Sequence, residues 1–93
     1  MIDIQWSAPA RLDLEAIDDR FSAIDLALAD RIIDRIEQAG NFLCDHPSAG
    51  PKILSGAARK WRVRGAPYLL LYRVLPDRVE ILRIRHDRED WDA

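Results

Sequence analysis

Apolar and polar positions alternate only briefly at the start of the chain. Ile2, Ile4 and Trp6 are interleaved with Asp3 and Gln5, the two-residue period of a half-buried strand over 2–6. The period then lengthens. Leu14, Ile17, Phe21, Ile24 and Leu28 recur every three or four residues, and the spacing resumes at Ile32, Ile36, Ala39 and Leu43. That is the stripe of an amphipathic helix. Ser7 offers an N-cap, and Pro9 fits a first helical turn. One helix of about 35 residues is long for so short a chain. Ser22 and Asp25 can cap a second, so the pattern predicts a helical hairpin jointed near 22–25; one long bent helix is the alternative. Pro47, Gly50 and Pro51 end the helical region.

Three further strands are predicted, over 59–64, 68–74 and 79–86. Gly65-Ala66-Pro67 turns the chain between the first two, and Leu75-Pro76-Asp77-Arg78 reads as a type I turn between the last two. The order β-α-α-β-β-β belongs to the α+β class. The expected architecture is one domain over 1–93, with the hairpin on one face of a small antiparallel sheet. The first strand joins beside the last or at the other edge. Phe21, Ile36, Trp61 and Tyr72 are expected in the core.

Pairing across the Pro76-Asp77 turn sets Val74 against Val79, Tyr72 against Ile81, Leu71 against Leu82 and Leu69 against Ile84. One face then carries Tyr68, Leu70, Tyr72, Val74, Val79 and Ile81, with Trp61 and Val63. The other carries Leu69, Leu71, Leu82 and Ile84, fringed by Lys60, Arg62, Arg73 and His86. A bulge would change this register. The hairpin covers one face. The other is left apolar and basic-rimmed, the mark of a contact surface, unless the tail folds over it with Trp91 as a plug.

Composition narrows the classes. The chain has 93 residues, 48% hydrophobic and 32% charged, enough for one core. No apolar run approaches the roughly 20 residues of a membrane span, and the N-terminus lacks the basic start and apolar stretch of a secretory leader. Cys44 stands alone, which excludes an internal disulfide, offers no zinc spacing and fits a reducing cytoplasm. Its place on a helix flank suits packing better than nucleophilic catalysis. No phosphate-binding glycine loop or serine elbow occurs, and no metal or cofactor is expected. The net charge of −2 hides a split: residues 1–50 hold four arginines and ten carboxylates (−6), whereas residues 51–93 hold ten basic and six acidic residues (+4). The basic half is a candidate working face. Lys60, Arg62, Arg73, Arg83, Arg85 and His86 are suited to phosphate binding and to acid–base RNA cleavage; the alternative is that they solvate edge strands and pair with acids such as Glu80 and Asp87.

Arg59-x-Trp61-x-Val63, the run Pro67 to Val74, then Val79-Glu80-Ile81-Leu82-Arg83-Ile84-x-His86 and Trp91 together resemble the ParE/RelE superfamily of bacterial toxin–antitoxin toxins. Trp6 with Ala8, Asp13-Leu14 and Ile17, and Leu43-x-x-x-Pro47-x-x-Gly50 extend the likeness over the chain. The resemblance implies a helical hairpin on an antiparallel sheet, a cognate antitoxin, and one of two targets. RelE-like members cleave messenger RNA on the ribosome, with basic residues on the middle strands and a C-terminal tyrosine. ParE-like members act on DNA gyrase. Lys60 and Arg62 match the first basic positions of the RelE-like set, and Arg73 and His86 complete a possible nuclease group. Leu69 replaces an arginine, however, and no tyrosine follows Tyr72. The resemblance therefore favours a ParE-like gyrase inhibitor acting by protein contact, not an enzyme; a RelE-like nuclease and a non-toxic binding module are the alternatives. Leu69, Leu71, Leu82, Ile84, Arg59, Arg83 and Trp91 are the expected contacts to target or antitoxin. The antitoxin's C-terminal segment is expected on the uncovered sheet face or in a groove at its border.

Overall fold

A computed structural model describes residues 2–53 and 56–88. The order is β1 (Asp3–Trp6), α1 (Ala8–Ser22), α2 (Leu26–Asp45), β2 (Arg59–Arg62), β3 (Tyr68–Val74) and β4 (Arg78–His86). Each boundary has a local cause. The Ser7 hydroxyl accepts from the Ala10 N–H at 3.1 Å and caps α1, with Pro9 in the first turn. Asp25 accepts from the Ala27 N–H at 2.9 Å and caps α2. Between them the chain reverses within three residues, the Ile24 and Asp25 N–H groups both donating to the Phe21 carbonyl at 2.9 Å. Ile24 therefore leaves the stripe in which its spacing placed it: it lies in the joint, 72% exposed.

The sheet order is β1-β4-β3-β2. β2, β3 and β4 form the antiparallel meander, and β1 adds beside β4 in parallel, Ile4 opposite Val79 and Trp6 opposite Ile81. The sheet is thus mixed. A parallel neighbour needs a crossover, and the whole helical hairpin supplies it. α2 approaches β1 closely at Gly40. A Cβ there would stand 2.6 Å from the Ile4 Cδ1 and 2.8 Å from the Trp6 ring, so only glycine lets helix and strand meet at this distance.

The core lies between the hairpin and one sheet face. Ile17, Ile32, Ile36, Leu43 and Cys44 from the helices meet Val63, Tyr68, Leu70, Tyr72, Val79, Ile81 and Ile84. Phe21 and Trp61 pack half-buried against it. Each fully buried large side chain contributes about 1.5–3 kcal/mol. Tyr72, fully buried, does more. Its hydroxyl donates to the Pro47 carbonyl at 2.8 Å and accepts from the Gly50 N–H at 2.9 Å. Arg59, opposite Tyr72, donates to the Gly50 carbonyl at 2.7 Å. The loop after α2 is thereby tied to the sheet.

One feature of β4 overturns half of the predicted register. Tyr72 lies opposite Ile81 and Val74 opposite Val79, as the turn dictates, but the pairing slips between Leu71 and Tyr72. Leu82 is the extra residue of a bulge. Beyond it Leu71 faces Arg83, Leu70 faces Ile84 and Leu69 faces Arg85. Ile84 consequently points into the core, 4% exposed, and not onto the uncovered face. His86 moves with it, opposite Tyr68 on the core side, its ring edge-on to the tyrosine at 5.6 Å. β1 pairs with β4 only as far as Ile81. Past that point α1 takes over the strand edge: the Ser7 hydroxyl donates to the Leu82 carbonyl at 2.8 Å, and the Asp13 carboxylate accepts from the Ile84 N–H at 2.9 Å.

Candidate functional site

With the hairpin on one face, the other presents side chains in rows across three strands. Lys60, Leu71 and Arg83 form one row, and Arg62, Leu69 and Arg85 the next. In each, a half-buried leucine stands between two cations. The long aliphatic stems of such side chains cover apolar neighbours while their charged heads reach water. Arg73 extends the face and bonds Glu80 across the pair at 2.6 Å. Arg62 reaches Asp87 at 2.9 Å. The arginine ends of these pairs are solvent-exposed while the Asp87 and Glu80 carboxylates are largely covered, and the pairs fix where the cations sit. Among the described residues, this face is therefore a basic lattice with aliphatic centres.

Arg83 is held most firmly. It forms a two-pronged bond to Asp13 of α1, at 2.7 and 3.0 Å. Burial alone raises the Asp13 pKa, but the hydrogen bonds from Arg83 and the Ile84 N–H and the charges of Arg83 and Arg85 outweigh it, so the carboxyl lies below its ordinary value. Asp13 thus stays ionised and positions Arg83.

The remaining residues expected to act fall in different places. Lys60, Arg62, Arg73, Leu69 and Leu71 share the uncovered face. Leu82 is half-buried at the bulge and Ile84 is in the core. Arg59 binds the 48–50 loop. His86 lies beside Tyr68 on the core side, its Nδ1 3.3 Å from the Asp87 carboxylate, whose other oxygen Arg62 reaches at 2.9 Å. Trp91 lies outside the described residues.

A second concavity had no counterpart in the sequence reading beyond the general idea of a groove at the border. It lies between α2 and β2, with a volume of about 810 Å³. Phe42 and Trp61 form one wall, their rings stacked at 5.2 Å and 17°. Ala39, Val63, Ala66 and Pro67 line it further, with Arg35, Arg62 and Arg64 among its cations. Gly65, with φ +82°, turns the chain so tightly that the Arg35 side chain passes over it, 3.3 Å from where a Cβ would stand. Phe42 is 40% exposed despite its neighbours. The signal was present but split: Phe42 falls beside the buried stripe of α2, and Trp61 belongs to a distant strand.

Other chemistry is sparse. The Cys44 thiol is buried, and burial followed by the charges of Asp45 and Asp3 raises its pKa, which holds it in the unreactive protonated form. Burial also raises the Tyr68 and Tyr72 phenols. Among the described residues no three metal-ligating side chains cluster, and no helix is long and apolar enough to cross a membrane.

A helical hairpin thus covers one face of a small sheet whose other face is basic, with an aromatic-walled groove at its border. Comparison with known proteins makes the class specific. Residues 4–91 match the family described as the ParE toxin of the type II toxin–antitoxin system parDE, and the chain belongs to that family. It is 33% identical over 86 residues to Toxin RelE2 of Caulobacter vibrioides, covering 92% of this chain and 96% of that one. Among solved structures it is similar to a chain of the chromosomal ParDE system of P. aeruginosa, with a TM-score of 0.81, 24% identity and coverage of 92% and 96%. A chain of the RelBE2 toxin–antitoxin complex of Mycobacterium tuberculosis superposes with a TM-score of 0.68 at 25% identity, covering 91% of this chain and 96% of that one.

Proposed function

We propose that this toxin acts in the cytoplasm as a ParE-like inhibitor of DNA gyrase, by protein contact through the uncovered sheet face, and that a cognate antitoxin neutralises it. The observation that carries the reading is the composition of the two rows. Leu69 sits between Arg62 and Arg85 at the position that RelE-like nucleases fill with arginine. Arg62 and Arg73 are tied to carboxylates, and His86 is on the other side of the sheet. RNA cleavage needs a proton carrier within reach of the scissile phosphate; His86 packs edge-on to Tyr68 on the core side and meets the cation rows through the Asp87 carboxylate that it shares with Arg62. Leucines framed by cations suit a protein surface with apolar and acidic groups.

The name of the Caulobacter vibrioides relative favours a second reading, ribosome-dependent mRNA cleavage with Lys60, Arg62, Arg73 and His86 contributing phosphate binding and proton transfer. Induction in a bacterial host separates the two. Filamentation with an SOS response, together with loss of gyrase supercoiling in vitro, is expected. Lys60→Ala with Arg62→Ala is expected to keep a substantial part of the toxicity, because Leu69, Leu71, Arg83 and Arg85 still form the contact face. Rapid translational arrest with cleaved mRNA, abolished by that double variant, would overturn the gyrase reading.

A further inference from the structure

We propose that copies of this chain associate head to tail, the joint between α1 and α2 of one copy entering the groove between α2 and β2 of the next. Ile24 and Leu26, on either side of the Asp25 cap, are the two most exposed large apolar side chains among the described residues, at 72% and 71%. Turns between helices ordinarily carry polar residues. Apolar side chains scattered singly over a surface are common, but two on one short protrusion form a patch. The patch has an acidic setting: residues 18–30 hold four carboxylates and one arginine, a local charge of −3. The groove is its counterpart. At about 810 Å³ it has room for both aliphatic side chains. The stacked Phe42 and Trp61 rings give it a rigid apolar wall. Arg35, Arg62 and Arg64 line it, and none of its described lining residues is acidic. An aliphatic tip among carboxylates thus meets an aromatic hollow among arginines.

The placement of the two features calls for a second copy. Both lie on the same helix. α2 begins at Leu26 and reaches the groove at Arg35 to Phe42, so roughly 14–24 Å of helix separates tip from groove. A chain therefore cannot fill its groove with its own tip. Like charges oppose tip against tip and groove against groove, and opposite charges favour tip in groove. Such a contact is heterologous: a pair of copies keeps one open groove and one open tip, so further copies add in a row unless the rotation closes a ring. Two aliphatic anchors with exposed ion pairs make a small interface, and its strength falls with salt.

Analytical ultracentrifugation of the intact protein at rising concentration tests this. At low salt the average mass is expected to climb beyond that of a dimer, and in high salt to fall back towards 10.7 kDa. Ile24→Ser with Leu26→Ser removes the tip, and Arg35→Glu with Arg64→Glu reverses the groove; all four positions are exposed. Circular dichroism checks that both variants are folded. Each alone is expected to remain monomeric at tenfold the concentration at which the wild type associates. Mixed, they still supply one intact groove and one intact tip, and are expected to form a one-to-one dimer that grows no further. A wild type that stays monomeric up to millimolar concentration at low salt would overturn the proposal, as would association that either folded variant retains. A wild-type dimer that grows no further, or a mixture of the two variants that stays monomeric, would also overturn it, the first by assigning the contact to a two-fold interface.

Discussion

Strand β3 is apolar on both sides, yet its two sides have become different materials. Tyr68, Leu70 and Tyr72 are buried beneath the hairpin, and Leu69 and Leu71 are half-buried between cations. Intrinsic hydrophobicity does not separate the two sets. What separates them is the company kept across the strand: Ile84 and Ile81 on one side, Arg85 and Arg83 on the other. The buried side is specified by packing, where each lost contact weakens the fold. The open side is specified by charge and register, where the same substitution leaves the fold alone and changes what can bind. A strand's pattern therefore reports how much apolar surface it carries, and its neighbours decide how that surface is used.

The comparison breaks most readily from the buried side. Tyr72→Ala is expected to cost about 3–5 kcal/mol, a large part of the roughly 5–10 kcal/mol that holds a small domain together. Urea midpoints read this directly, and Tyr72→Phe isolates the loss of the two hydroxyl bonds at about 1–3 kcal/mol. Asp13→Asn comes next. It removes the charge that holds Arg83, at a site whose carboxylate side chain is 18% exposed, and is expected to cost about 1–3 kcal/mol near neutral pH. Its folded pKa is depressed, so the contribution of the carboxylate is present above the ordinary carboxylate range and is lost as pH falls through the depressed value. The wild type should keep its advantage over Asp13→Asn at neutral pH and lose it in acid, as denaturation at a series of pH values would measure; a gap that is constant down to acid would show that Asp13 is not acting as a charge. The smallest effect on stability is expected at Leu71→Asp, about 1 kcal/mol or less, since the new carboxylate falls between Lys60 and Arg83. That variant is nevertheless expected to lose toxicity on induction, the outcome that most sharpens the contrast between the faces.

Most of the elements were legible because their signals are local. Ser7 and Asp25 are caps wherever they precede an apolar stripe, and Ile32, Ile36, Ala39 and Leu43 are one face of a helix before any partner is known. Ile24 misled because a spacing of three or four continues through a joint that the backbone does not. The bulge at Leu82 has no sequence mark: no glycine or proline stands there, and the extra residue is set by how α1 and β4 meet. It carried Ile84 and His86 to the core side and brought Arg83 and Arg85 opposite the leucines. The parallel placement of β1 was open for a similar reason, since a strand's periodicity is silent about its neighbour. The groove needed three-dimensional information outright, because Phe42 and Trp61 approach only once α2 lies on the sheet.

The pairing of β1 with β4 has a consequence for the order in which the molecule can come into being. Asp3–Trp6 is made first, but its partners are residues 78–81, and the Ser7 hydroxyl bonds a carbonyl 75 residues away. The helical hairpin and the meander are built from contacts between neighbours and can form as the chain emerges. The first strand has to wait with one edge unpaired until nearly everything else exists, and long-range pairings of this kind are slow and entropically costly. β4 is both the strand that receives β1 and the strand that carries Arg83 and Arg85. Closing the sheet and completing the basic face are therefore a single late event, and a ribosome still midway through the chain carries no finished toxin.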